Sequence, residues 1–214
     1  MQPLQRIESI AAPLLRANVD TDVITPMRRI TSRSSQPLAH YAFEPLRYLG
    51  GDGDTGRPNP DFVLNDPAYA GARILLTGEN FGCGSSRETA PAALYALGFR
   101  IIIGSSFGDI FANNCFQRGI LVICLDGETV QALAAEARQG RFLVDLESRR
   151  ITSPQGLEVR FEVNPLRREL LLSGLDDIGM SLRLTREIAA FQVADRERRP
   201  WVYALDGDTQ PERR

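Results

Sequence analysis

From Arg73 onward the chain alternates between short apolar runs and stretches of helical period. Arg73 to Thr77 (RILLT) predicts a buried strand, followed by a glycine-rich turn and a helix over residues 85 to 97. Strands are predicted again over Phe99 to Gly104 (FRIIIG) and Ile120 to Leu125 (ILVICL). Helices are predicted over Phe107 to Gln117 and over the alanine-rich stretch from Glu128 to Arg138. This alternation is that of a parallel α/β layer. After Gly140 the period changes to two: RFLVDLESRRITSPQGLEVRFEV alternates around a Ser-Pro-Gln-Gly turn at 153 to 156, which predicts an antiparallel hairpin. Leu166 to Leu172 and Arg186 to Val193 read as helices, with Gly174 and Gly179 as breaks.

The first seventy residues are less regular. Leu14 to Thr25 holds short apolar pieces around a polar turn, and Gly50 to Pro60 (GGDGDTGRPNP) is a loop by its glycine and proline density. The chain is read as one domain over residues 1 to 205 with a disordered tail over 206 to 214.

Composition narrows the function classes. The 214 residues, 43% of them hydrophobic, suffice for a substantial core. The 25 basic and 27 acidic residues are interspersed and leave a net charge of −2, so no broad basic surface for nucleic acid is expected. No apolar stretch approaches the roughly 20 residues that span a bilayer, so no membrane association is expected. The first residues (MQPLQRIESI) lack the basic segment and apolar core of a secretory signal; a cytoplasmic protein is expected.

Cys83, Cys115 and Cys124 match no paired-ligand spacing for zinc or an iron–sulfur cluster, and Cys115 and Cys124 read as small core residues. His40 is the only histidine, and GCGSS lacks the GxSxG order of a nucleophile elbow, which argues against a hydrolase.

The densest chemistry lies in residues 78 to 91, GENFGCGSSRETAP. Gly82 and Gly84 allow a sharp bend and close ligand approach. Ser85, Ser86 and Arg87 fall at the predicted start of a helix, where unpaired N–H groups and the helix dipole favour an anion. Ser85 and Glu88 also fit the S-x-x-E capping box, so a purely structural role stands beside the chemical one. A noncatalytic nucleotide- or anion-binding module is the alternative of another class. Against it, GCGSSR carries only the first two glycines of GxGxxG, and Gly104 lies where a ribose-binding acid is expected.

Several segments together carry a resemblance: NVDTDVITP (18 to 26), HYAFEPLRYL (40 to 49), RPNPDFVLNDPAYAGARILL (57 to 76), ENFGCGSSRE (79 to 88), SSFGDIFANNCFQRGIL (105 to 121) and SGLDDIGMSL (173 to 182). In that order they resemble the small subunits of 3-isopropylmalate dehydratase, or isopropylmalate isomerase, related to the swivelling fourth domain of aconitase. The resemblance implies a swivelling β/β/α domain with a C-terminal hairpin and helical extension. It implies a hydro-lyase of leucine biosynthesis that interconverts 2-isopropylmalate and 3-isopropylmalate by dehydration and rehydration. A large subunit would carry a [4Fe–4S] cluster, and this chain, binding none itself, would close over it in a heterodimer or higher heteromer.

The resemblance also implies roles for residues. Ser85 matches the general base that removes and returns a carbon-bound proton. Arg87 matches the grip on a carboxylate of the small dicarboxylate substrate, a task suited to a planar fork of donors. Ser86 matches a neighbouring substrate-binding hydroxyl, and Asp22 an acidic position facing the active site, with an Asx-type turn before Pro26 as its structural alternative. Arg28, in preference to Arg29, matches a positively charged, substrate-facing loop. Two positions depart from the family pattern: Pro26-Met27-Arg28-Arg29-Ile30 stands where relatives have PKQF or PGRYLR, and Thr89 where most have histidine. Citraconate with 2-methylmalate, dimethylmaleate and longer homologues stay open as substrates.

Overall fold

The structure, a computed structural model, describes residues 1–31, 36–84 and 88–203. It divides into two compact units, residues 1–174 and 175–214. The first unit opens with two strands in succession, β1 (Arg6–Ser9) and β2 (Ala11–Leu14), separated only by Ile10 yet belonging to different sheets. Short helices follow: α1 (Thr21–Ile24), α2 (Met27–Thr31) and α3 (Glu44–Arg47). The two-stranded pair of β3 (Tyr48–Leu49) and β4 (Arg57–Pro58) brackets the glycine-rich loop.

The predicted alternation then appears as β5 (Ile74–Thr77), α4 (Thr89–Ala96), β6 (Ile101–Gly104), α5 (Asp109–Gln117), β7 (Leu121–Cys124) and α6 (Gly127–Ala135). β5, β6 and β7 pair in parallel, and β2 completes the sheet beside β5, with Ala11 opposite Ile74. A second sheet is antiparallel: β1 pairs β8 (Phe142–Asp145), which pairs β9 (Arg150–Thr152), which pairs β10 (Glu158–Arg160). The predicted hairpin is therefore its outer half, with the turn after Thr152. The last helix of this unit is α7 (Pro165–Ser173), capped by Asn164, whose Oδ1 accepts from the Leu166 and Arg167 N–H groups.

The parallel sheet lies between two apolar layers. Ile74, Leu76, Ile101, Ile103, Leu121 and Ile123 point to the face shared with Phe142, Val144 and Ile151 of the antiparallel sheet, α6 and α7. Leu75, Ile102 and Val122 point the other way, toward Ala90, Ala93 and Leu94 of α4 and Phe111 and Cys115 of α5. Burial on both faces explains why these strands read as unbroken apolar runs. The β/β/α layering is the architecture expected of a swivelling domain.

The second unit is helical over its described residues: α8 (Asp177–Leu182), α9 (Thr185–Arg198) and α10 (Pro200–Tyr203). Gly179, expected as a break, lies inside α8, because its N–H is taken by the capping carboxylate of Asp176 at 2.7 Å. The expected tail of residues 206 to 214 lies outside the described residues.

Candidate functional site

Three loops meet at the carboxyl ends of the parallel strands, where open α/β sheets bind ligands. The loop after β5 is clamped on one side by the loop after β2: the Asn18 and Gly82 N–H groups donate to the Glu79 and Val19 carbonyls, and the Thr21 N–H to that of Cys83, at 2.7–3.0 Å. On its other side the Phe81 N–H donates to the Ser106 carbonyl and the Gly108 N–H returns to that of Phe81, while the Ser106 hydroxyl accepts from the Asn80 N–H. Gly82 could be no other residue. Its φ is +73°, and a β-carbon would stand 2.2 Å from the Phe111 ring. Phe81, fully buried, packs edge-on against Phe111 and locks the loop into the core.

Beside this clamp lies a buried ionic cluster. Phe43 adopts a left-handed backbone, φ 59°, which costs a bulky residue about 1–2 kcal/mol. Its buried ring packs against Phe62 and Phe81. The next residue, Glu44, is 1% exposed and accepts from Arg28 Nη2 at 2.7 Å, Arg29 Nε at 3.0 Å, Arg29 Nη2 at 2.5 Å and the Gly53 N–H at 2.7 Å. Arg29, its side chain 8% exposed, also reaches Asp52 at 2.8 Å and Asp54 at 2.6 Å and lies over the Tyr41 ring. The hydrogen bonds from Arg29 to Glu44 hold its pKa above the ordinary guanidinium value, against the opposing effect of burial. Asp54 is held below the usual carboxylate range first by the Tyr41 hydroxyl, then by Arg29. Asp52 is held low first by the Thr55 hydroxyl, then by the Asp54 N–H. His40 joins the same cluster through Nε2, 2.7 Å from the Gly53 carbonyl.

This cluster separates two adjacent arginines. Arg29 is consumed by three carboxylates, whereas the Arg28 side chain stays 59% exposed. Arg28 lines an open cleft of about 370 Å³ with Asp20, Asp22, Val23, Met27 and Pro45. The structure thus brings Asp22 and Arg28 into one cleft. Asp22 is exposed, and its Oδ1 also accepts from the Met27 N–H at 3.3 Å, which ties α1 to the start of α2. Gly84, immediately before Ser85 in the chain, stands against the same cleft's rim: a β-carbon on it would lie 3.5 Å from that of Asp20. Ser85, Ser86 and Arg87 themselves lie outside the described residues. The helix predicted from residue 85 is described over Thr89–Ala96, with Glu88 at its cap position making no side-chain capping bond.

Other expectations are met differently. Cys115 is buried, and burial pushes its thiol well above the ordinary range. Cys124, expected in the core, is exposed, because it ends β7 where the strand leaves the apolar layers; its Sγ donates to the Ser105 carbonyl. Asn113 of α5 accepts from Arg167 of α7. The Thr89 hydroxyl is shut off from solvent and has no hydrogen-bond partner among the described residues. Glu44, Asp52 and Asp54 were not singled out in the sequence, since scattered acids in a glycine-rich loop carry no periodic signal. Among the described residues no three His, Cys, Asp or Glu side chains are grouped to hold a metal ion, and no helix is long and apolar enough to cross a membrane.

Residues 1–128 match the family described as the aconitase C-terminal domain. The chain is 47% identical over 211 residues to the 3-isopropylmalate dehydratase small subunit of Magnetococcus marinus, across 95% of this chain and 99% of that protein. The chain belongs to the family of 3-isopropylmalate dehydratase small subunits. The protein of the same name from Rhodospirillum centenum is 48% identical across 94% of this chain and 99% of its own length. A solved 3-isopropylmalate dehydratase structure (LeuD) from Methanocaldococcus jannaschii shares the fold, with a TM-score of 0.62 at 24% identity over 86% of this chain and 99% of that one.

Proposed function

We propose that this chain is the small subunit of a cytoplasmic hydro-lyase that interconverts 2-isopropylmalate and 3-isopropylmalate in leucine biosynthesis. The observation that carries the proposal is the likeness, over nearly the full length of both chains, to relatives named 3-isopropylmalate dehydratase small subunit. In this reading Ser85, as alkoxide, takes the proton from the carbon next to the carbinol, the hydroxyl leaves toward the partner chain, and water adds back in the opposite sense. No oxidant is consumed. A serine anion is tolerated only where N–H groups and positive charge surround it, which a glycine-lined turn supplies. Arg87 and Arg28 bind substrate carboxylates, Ser86 adds a hydroxyl contact, and Asp22 faces the same site. The described residues hold no ligand set for the [4Fe–4S] cluster that the family resemblance implies. On the family resemblance we assign the cluster to a large partner subunit.

The cleft beside Arg28 supports an apolar substituent on the substrate. Val23, Pro26, Met27 and Pro45 form its wall, and Met27 is 49% exposed there. Isopropyl has two more carbons than the methyl group of a citraconate-type substrate. At about 0.8 kcal/mol per buried methylene, this is worth on the order of tenfold in kcat/KM.

The test is reconstitution with an iron–sulfur large subunit and assay against isopropylmalate, citraconate and dimethylmaleate in parallel. Ser85→Ala is expected to abolish exchange of the substrate's carbon-bound proton while leaving assembly intact. Normal exchange in that variant would remove Ser85 from the base role, and activity confined to citraconate or dimethylmaleate would reassign the substrate.

A further inference from the structure

A second cleft, of about 240 Å³, opens at the other end of the parallel sheet, away from the loops described above. It lies between the N-terminal segment, residues 2–7, and the two residues that lead into β5 and β6, Arg73 and Arg100. Three of its lining residues are arginines, Arg6, Arg73 and Arg100, and none is acidic. Arg73 is exposed, and its side chain makes no hydrogen bond or ion pair among the described residues. Arg6 stands opposite Asp145 in the β1–β8 register and its charge acts on that carboxylate, although Asp145 takes its main hydrogen bonds from Ser148.

Arg6 and Arg73 are exposed, whereas Arg100 is half-buried. Its Nη1 donates to the Tyr95 and Phe99 carbonyls and its guanidinium lies over the Tyr95 ring at 3.4 Å, but its Nε is shut off from water with no partner among the described residues. Burial lowers its pKa, and the positive charge of Arg73 lowers it further, against the opposing effect of Tyr95. Three positive charges line the cleft with no acidic residue in its wall, and only Arg6 has a carboxylate, Asp145, beside it, so Arg73 and Arg100 repel each other unless an anion enters.

We propose that this cleft is a binding site for a small, doubly charged oxyanion. Guanidinium forks match the oxygen geometry of phosphate and of carboxylate alike. The volume lies below the roughly 300–1,000 Å³ of pockets for drug-sized ligands, which favours a free phosphate or a short dicarboxylate over a nucleotide. Gln2 and Gln5 also line the cleft, and an amide side chain can add a neutral donor.

The test is calorimetric titration of the full chain with inorganic phosphate and, in a separate arm, malonate, at constant ionic strength set by chloride. Saturable binding of either anion is expected, and the stronger arm identifies whether the ligand is of phosphate or dicarboxylate type. Arg73→Ala is expected to weaken that binding about tenfold or more, the worth of a lost charge-assisted hydrogen bond, and Arg73→Glu to abolish it. Because Arg73 is exposed, both variants keep the core, which an unchanged melting midpoint in chloride verifies. No saturable binding in either arm, or binding that Arg73→Glu leaves intact, would overturn the proposal. The second outcome would move the anion to a different site on the chain.

Discussion

Replacing Glu44 by glutamine removes one negative charge from a carboxylate that is 1% exposed and serves four donors: Arg28 Nη2, two nitrogens of Arg29 and the Gly53 N–H. Glutamine keeps the shape but turns an amide toward a guanidinium, so a buried cation loses its strongest partner. Removing one member of a buried ion pair costs about 3–5 kcal/mol. Arg29 retains Asp52 and Asp54, which brings the expected loss to about 2–3 kcal/mol. Urea unfolding at neutral pH measures it, with an unchanged slope showing that the unfolded state is the same. A double-mutant cycle with Arg29→Gln isolates the pair and should return a coupling above about 1 kcal/mol. Since Arg28 shares the carboxylate, KM of the reconstituted enzyme should rise as well. A stability loss under about 0.5 kcal/mol, the size of an exposed ion pair, would show that the cluster is surface decoration and refute this account of how Arg28 is held.

Three further outcomes are expected. Gly82→Ala should cost about 2–4 kcal/mol, from the left-handed backbone and the overlap with Phe111, and thermal unfolding that shows less than about 1 kcal/mol would mean that the loop yields. Thr89→Val should leave stability unchanged or raise it by about 1 kcal/mol, since the hydroxyl is buried without a partner among the described residues; a clear loss in urea unfolding would reveal a partner. Asp54, held low by Tyr41 and Arg29, contributes stability that is present above the unfolded carboxylate value of about 3.9 and lost as pH falls through its lower folded value. The stability gap between the wild type and Asp54→Asn should therefore shrink below about pH 4, and a gap that stays constant down to pH 3 would exclude this linkage.

Local chemistry was legible where it repeats. β5, β6 and β7 announce themselves because both of their faces are buried, so Ile74 to Leu76, Ile101 to Ile103 and Leu121 to Ile123 are continuous apolar runs. β1 and β2 were not legible: each has four residues, β2 is built of alanine, proline and leucine, and their partners lie far along the chain at Phe142–Asp145 and Ile74–Thr77. Strand identity there comes from pairing, which has no local signature. Helix α8 was misread at Gly179 because the propensity of one glycine is smaller than the effect of a capping carboxylate.

The site divides in the same way. The sequence by itself determined the parallel layer, the glycines that the turn after β5 demands, and a family resemblance spread over several motifs; these depend on residue type and order along the chain. It preferred Arg28 to Arg29 only through the family resemblance, since the two are chemically identical neighbours. Only the tertiary structure gives them different surroundings, by burying Glu44 and folding Asp52 and Asp54 back onto α2, so that Arg29 is enclosed by three carboxylates and Arg28 lines the cleft. That difference is set by desolvation and by contacts between residues 15 to 25 positions apart, which no local pattern encodes.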